Sequence, residues 1–287
     1  MTAAITIHFR KPDLTARCID SLLTDGWAPV LVWDNSADEG RSLQALAARY
    51  AGEPRVQLVG NSVNLGFGKG MNAALAELAR RGYSGPALLI NNDAEVLPGM
   101  CAALLAALPG DSTVPALVAP RILQDGRAHG WLYYQPWLAL VTERPLPGSF
   151  AYLSGCCLLV ARPDNALPLF DEDFFMYGED VELSWRWRKG RGRLVLLDQV
   201  HVRHEGSASS GQASEVYERY LVRSHWCLAG KLAGSGFTAA LMRASRLPAL
   251  LLRACVRALR YRSCVPIKSL SEVCRRVGSR LAGRPIS

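Results

Sequence analysis

The chain has 287 residues, 49% of them hydrophobic, which suits one large globular domain with an appendage. Its formal charge of +8 is uneven: residues 236 to 287 hold eleven Lys/Arg against the single acid Glu272, whereas residues 1 to 235 hold 22 bases and 24 acids, so the basic character belongs to a tail and not to an active site. No run of eighteen uncharged apolar residues occurs, which excludes a conventional transmembrane helix, and the eight cysteines lack paired metal spacing and read as reduced, buried thiols of a cytosolic protein.

The opening "MTAAITIHFRKPD" lacks a basic region followed by an apolar one, so it is expected to enter the fold directly as a strand over 3 to 9. "PDLTARCIDSLL" reads as a helix, with Pro12 and Asp13 suited to its start. "PVLVWDNS" is a second strand and "RSLQALAARYA" a second helix. "RVQLVGN" is a third strand, and "NLGFGKGMNAALAELARRG" is a glycine-rich turn opening a helix that Gly82 can cap. "PALLINND" is the fourth strand. Strands separated by helices of this length predict an α/β fold with a mostly parallel sheet and helices on both faces. Ligands of such sheets lie beyond the carboxyl ends of the strands, so His8, Asp34, Asn64 and Asp93 should converge on one crevice. Further on come an aromatic loop segment over 129 to 150, the strand "SGCCLLVARPD", the acidic stretch "LFDEDFFMYGEDVELSWRWRKG" and the strand ending "VHVRHEGSASS".

Three of these stretches carry chemistry. Between Phe170 and Asp180 lie five acids interleaved with aromatic residues, an environment that raises carboxylate basicity and suits a general base; the bland reading is an acidic loop capping the helix that starts near Glu179. The two histidines of "HVRH" can bind a divalent metal, with Asp93 as carboxylate partner, or can be ordinary packed residues. The turn "NLGFGKG" lets backbone approach an anion at a helix start, but it matches neither the Walker nor the dinucleotide pattern. Asp34 either accepts hydrogen bonds from a ribose or base, or simply makes the turn "DNSADEG".

Taken in order, "ITIHFRKPDLTARCIDSL", "VWDNS", "NLGFGKGMNAAL", "LLINNDAEV", "SGCCLLVARPD", "LFDEDFFMYGEDVELSWRWRKG" and "VHVRHEGSAS" resemble the family 2 glycosyltransferases of the GT-A fold, especially the bacterial rhamnosyltransferase-like branch, over residues 3 to 225. The resemblance implies inverting transfer of a sugar from a nucleotide-sugar donor, dTDP-rhamnose or a UDP-sugar, to a hydroxyl of a saccharide or lipid-linked saccharide acceptor in cell-surface polysaccharide synthesis. It also implies a divalent cation, Mn2+ or Mg2+. By position, His8, Asp34, Asn64, Gly66, Lys69, Asn72 and Asn92 look like donor-binding residues. Asp93 matches the last acid of the metal-binding DxD motif, His204 completes the metal shell, and Asp180 matches the catalytic base, with adjacent Glu179 not separable from it by sequence. The first DxD acid is here Asn91, so the cation would be held by Asp93, the donor diphosphate and His204.

The tail, residues 236 to 287, is expected to be a helical appendage to a catalytic domain over 1 to 235. On a helical projection Arg243, Arg246, Arg253, Arg257 and Arg260 fall within roughly a 100° arc, with leucines and valine around most of the rest and Pro248 expected to kink or divide the helix. Such a stripe describes a segment in an anionic membrane interface; the competing reading is a helix packed on the catalytic domain with its arginines in water. The expected setting is the cytoplasmic face of the inner membrane, with no nucleic acid as partner. The alternatives to a glycosyltransferase are a sugar nucleotidyltransferase, whose glycine-rich and lysine signature near the first strand is absent, and a catalytically degenerate nucleotide-sugar or membrane-binding protein.

Overall fold

The computed structural model describes residues 2–162, 168–190, 192–205 and 214–281, with side chains as far as Arg275. The amino-terminal half alternates as its periodicity predicts: β1 (Ala3–His8), α1 (Pro12–Thr24), β2 (Val30–Asp34), α2 (Arg41–Arg49), β3 (Val56–Val59), α3 (Phe67–Arg80) and β4 (Ala87–Asn91). Pro12 sits in the first turn of α1, where its missing N–H leaves no partner wanting, and Cys18, Ile19 and Leu22 form the buried stripe. Gly82, at φ +86°, ends α3 in a Schellman arrangement in which Tyr83 N–H donates to Leu78 O and Gly82 N–H to Ala79 O.

The chain continues through β5 (Ala94–Val96), α4 (Met100–Ala106), β6 (Ala116–Gln124), β7 (Arg127–His129), β8 (Leu132–Gln135), β9 (Leu140–Thr142), β10 (Phe150–Tyr152), β11 (Cys157–Ala161), α5 (Glu179–Lys189), β12 (Arg193–His204), α6 (Glu215–Leu232), α7 (Gly236–Tyr261) and α8 (Val265–Leu281). The main sheet has the order β3-β2-β1-β4-β11-β6-β12-β5, with β7 paired to β6. Its first four strands are parallel, as is β12 beside β6, but β11 runs antiparallel to both its neighbours. No helix separates β10 from β11. The chain therefore re-enters the sheet from the carboxyl edge of β4 instead of crossing back over a face.

Helices cover both faces. Ile19, Leu22, Leu46, Met100 and Leu104 pack on one, Met71, Leu78, Leu183 and Trp187 on the other. Leu88, Leu89 and Ile90 of β4 are fully buried between them, each contributing about 1.5–3 kcal/mol of burial.

Two expectations change. Residues 129 to 150 are not a loop: β8, β9 and β10 form a second, three-stranded antiparallel sheet, held because Tyr134, Phe150 and Tyr152 point into a core shared with Leu228 and Leu232 of α6. Helix α7 of the tail runs unbroken through Pro248, and of its basic stripe Arg246, Arg253 and Arg257 are turned toward protein while Arg260 is exposed. Arg246 is fully buried, its Nε donating to Pro136 O at 2.6 Å and Nη1 to His225 O, with its guanidinium over the Tyr134 ring. Arg257 donates to the buried Glu218 at 2.5 Å and lies between the rings of Tyr217 and Tyr261. Val222 and Trp226 of α6 meet Leu250 and Ala254 of α7, Leu270 and Val273 of α8, and Ala139 of the turn between β8 and β9. All eight cysteines are free, but Cys255 and Cys264 in and after α7 are exposed, not buried.

Candidate active site

The parallel strands end together. His8 is in register with Asp34, and Ile7 with Asn91, so the carboxyl ends of β1, β2 and β4 form one rim. Beyond it the Thr15 hydroxyl joins His8 Nδ1, at 2.8 Å, to Asn92 Nδ2, at 3.0 Å. His8 is buried and its Nε2 has no partner among the described residues. Burial lowers its pKa against the opposing pull of Asp34 and Asp38. Asp34 is 1% exposed and accepts from Ser36 N–H at 2.8 Å, so at least one of its oxygens makes the turn.

Asp93 and His204 lie side by side. β5 pairs with the end of β12, His204 opposite Ala94, which brings His204 Nε2 to 3.1 Å from Asp93 Oδ1 while Nδ1 faces Gln124 Oε1 at 3.0 Å. Burial alone would lower the pKa of His204, but Asp93 and the adjacent Cys156 thiol hold it up at about 10. Among the described residues no three His, Cys, Asp or Glu side chains converge to hold a metal by themselves. A carboxylate and an imidazole that gives up its proton on binding, with diphosphate and water as the remaining ligands, fit a cation such as Mn2+. Residues 206 to 210 of the same motif lie outside the described residues.

Gly155 and Cys156, to which the sequence assigned no role, join the two halves of the site. Cys156 O accepts from Asn91 N–H at 2.9 Å, and its thiol lies against His204. Gly155 N–H donates to Asp180 Oδ2 at 3.1 Å. Adjacent Cα atoms are about 3.8 Å apart, so this one backbone segment holds the Asp93–His204 pair on one side and Asp180 on the other.

Asp180 and Glu179, inseparable by sequence, differ in surroundings. Asp180 is partly exposed and accepts from Gly155 N–H and, at 2.8 Å, Val181 N–H, bonds that favour its ionised form against the burial that raises its pKa. Glu179 is 7% exposed, its Oε2 unpartnered among the described residues, and burial followed by repulsion from Asp180 pushes its pKa well up. The turn delivering them needs left-handed backbone at both Tyr177 and Gly178, φ +67° and +86°. A Cβ on Gly178 would lie 3.1 Å from Ser224 and 3.2 Å from Leu228, so α6 packs directly on this turn.

The glycine-rich turn has another use than direct exposure to a ligand. A Cβ on Gly66 would sit 2.1 Å from Phe175 O, one on Gly68 3.0 Å from Phe170, and one on Gly70 2.9 Å from Asn35 Nδ2. Asn64 Oδ1 accepts from Gly66 N–H at 2.9 Å, and Asn35, another residue the sequence left without a role, donates to Gly66 O at 2.7 Å. Asn72 spends its amide on Phe170: Oδ1 accepts from Phe170 N–H, and Nδ2 donates to Phe170 O, both at 2.9 Å. Lys69 is half exposed, 3.8 Å from Glu172. The turn thus docks on the acidic, aromatic block and fixes where Asp180 stands relative to the strand ends. Beside His204, Arg10, Lys11, Arg17 and Glu205 line a cavity of about 500 Å³.

No family model matches the chain. It is 31% identical over 222 residues to the N-acetylglucosaminyl-diphospho-decaprenol L-rhamnosyltransferases of Mycobacterium tuberculosis strains CDC 1551 / Oshkosh and ATCC 25618 / H37Rv, a match covering 67% of this chain and 71% of each relative. Among solved structures, GalNAc-T7 with UDP, GalNAc and Mn2+ superposes with a TM-score of 0.59 at 16% identity, covering 78% of this chain and 47% of that one. TarS residues 1–349 of S. aureus with UDP-GlcNAc superposes with a TM-score of 0.55 at 17% identity, covering 87% and 72%. At these identities the likeness is one of fold, and that fold is GT-A.

Proposed function

The chain belongs to the rhamnosyltransferase-like glycosyltransferases of family 2, and from that premise we propose that it is an inverting enzyme moving a sugar, rhamnose from dTDP-rhamnose first and a sugar from a UDP donor second, to a lipid-linked saccharide at a membrane surface during cell-surface glycan synthesis. The observation that supports the assignment of roles is the Gly155–Cys156 segment, which ties the Asp93–His204 pair and Asp180 to its two sides.

In this reading the donor lies along the carboxyl ends of β1, β2 and β4, with its base and ribose toward Asp34 and His8 and its diphosphate toward Asp93. Asn92 orients His8 through Thr15. Asn64, Gly66 and Asn72 shape the pocket wall through their contacts with Phe175 and Phe170, and Lys69, Arg10 and Lys11 bring positive charge to its mouth. A divalent cation held by Asp93 and His204 would supply positive charge to the departing diphosphate. Asp180, whose carboxylate accepts from two backbone N–H groups, takes the proton of the acceptor hydroxyl. The acceptor oxygen forms its bond to the anomeric carbon as the bond to the diphosphate breaks on the opposite face, which inverts the configuration. Glu179, enclosed and with its Oε2 unpartnered among the described residues, is not the base.

Asp180→Asn is expected to cut transfer by about 10² to 10⁴-fold while dTDP or UDP, with manganese present, still raises the unfolding temperature as it does for the parent chain. An undiminished rate removes Asp180 as base. If neither nucleotide stabilises the parent chain, the donor class is wrong.

A further inference from the structure

The tail helix α7 is amphipathic with its faces exchanged. Its inward positions include Arg246, Arg253 and Arg257, whereas its exposed positions from Phe237 to Leu259 are Phe237, Ala240, Leu241, Ala244, Leu247, Pro248, Leu251, Leu252, Cys255, Val256 and Leu259, at the three-and-four spacing of one helical face. Phe237 is 75% exposed, Leu252 66% and Leu259 80%. Between Gly236 and Leu259 no charged residue is exposed. The stripe is about 33 Å long at 1.5 Å per residue. An apolar surface of this extent on a water-soluble face is costly and marks an interaction site.

A second element, a hundred residues away in sequence, enlarges it. The turn joining β8 to β9 lies along α7, with Ser245 Oγ donating to Trp137 O at 2.8 Å and Arg246 to Pro136 O. Trp137, Leu138, Leu140 and Val141 of that hairpin are also exposed. Among the described residues, of the exposed large apolar ones only Val63, Val216 and Ile267 stand outside the hairpin and α7.

We propose that the exposed leucine face of α7 and the tip of the β8–β9 hairpin together form a surface that inserts into an anionic lipid bilayer, lying parallel to it. Charge selects this occupant. Arg260 and Arg262 are exposed at the carboxyl end of the face, Lys268 and Arg275 are exposed on α8, which packs on α7, and α7 contains no acid, so the surroundings suit anionic headgroups while the leucines and valine enter the acyl boundary by about 5–10 Å. A second copy of the chain on the same face would oppose one basic tail to another. The arginines that would otherwise have lain in the headgroups hold the helix on the protein instead, and so fix which face points outward.

The surface deepens the reading of a lipid-linked acceptor and takes its purpose from it. α6 carries Val222 and Trp226 against α7, and Tyr217 and Tyr220 against Tyr177 and Phe175 beside the base. Only α7, which carries the surface, and α6 beneath it, each about 10 Å across, therefore lie between the bilayer and the aromatic residues leading to Asp180.

The test is co-sedimentation of the full chain, without donor or acceptor, with phosphatidylglycerol–phosphatidylethanolamine vesicles. The parent chain is expected to bind them more tightly than phosphatidylcholine vesicles, and Leu251→Ser/Leu252→Ser/Leu259→Ser to bind about tenfold or more weakly with its unfolding temperature kept. Val63→Ser/Val216→Ser, off the surface, is expected to bind as the parent does. A parent chain left in the supernatant, or a triple variant that binds equally, overturns the proposal. So does a parent dimer that the triple variant converts to monomer without either binding vesicles. Since the assay contains no substrate, failure of Asp180 as base leaves its outcome untouched. A triple variant still active on a short-chain, water-soluble acceptor separates lost membrane binding from lost chemistry.

Discussion

Two adjacent carboxylates at the start of α5 have different surroundings, although burial raises the pKa of both. Asp180 receives two backbone N–H groups and reaches solvent, whereas Glu179 is enclosed and left with an unpartnered oxygen. The consequence for stability has a definite sign. A carboxyl whose pKa is raised on folding holds its proton in the native state after the unfolded chain has lost it, so its stabilising contribution is complete below the ordinary glutamate range and disappears as pH rises through the native value. Glu179→Gln keeps the shape and removes the titration. The variant is expected to gain unfolding temperature relative to the parent between pH 5 and pH 8, as followed by calorimetry, and a difference that does not change with pH would mean that Glu179 is ionised in the folded protein. Sequence could not tell these two carboxylates apart, because what distinguishes their surroundings is the position of Gly155, in the turn before β11 and 25 residues earlier. Asn35 was hidden for a similar reason: in "VWDNS" it stands beside the more conspicuous Asp34, yet its amide grips Gly66 across 31 residues.

At the scale of elements, the strand and helix periods located β1 to β4 and their helices because each is a local pattern with local stops such as Pro12 and Gly82. Strand direction is not local. β11 reads as any apolar strand, and its antiparallel course depends on the preceding excursion through β8 to β10, whose alternating Tyr133 and Tyr134 were concealed in an irregular aromatic segment. The glycine turn shows the opposite case, where motif and place were legible but the contact was not. Gly66 has φ +79° and ψ −174°, a region open in practice to glycine alone, and its missing side chain admits Phe175 O. Gly66→Ala is expected to cost about 2 kcal/mol or more in denaturant unfolding, since neither the backbone angle nor the clash can relax independently. A loss below about 0.5 kcal/mol would mean that the turn and the acidic block separate easily.

For the whole molecule, the tail cannot be treated as an accessory to be cut away. A helical projection identifies which residues share a face but not which face turns inward, and here the customary answer, leucines in and arginines out, is reversed. Arg246 is enclosed by Pro136 O, His225 O and the Tyr134 ring, Arg257 neutralises a Glu218 that is 2% exposed, and Trp226 and Val222 rely on α7 and α8 for cover. Removing residues 236 to 287 would leave the Glu218 carboxylate without its partner, a loss worth about 3–5 kcal/mol when one member of a buried pair is deleted, and would open the apolar side of α6 to water. Since α6 also packs on Gly178 and against Tyr177, the disturbance reaches the turn that presents Asp180. The shortened chain is therefore expected to unfold at a lower temperature, to bind a hydrophobic dye, and to lose transfer even to a water-soluble acceptor. A truncated enzyme with unchanged melting and activity would show that the arginine contacts contribute nothing to the catalytic body, and would make the tail separable after all.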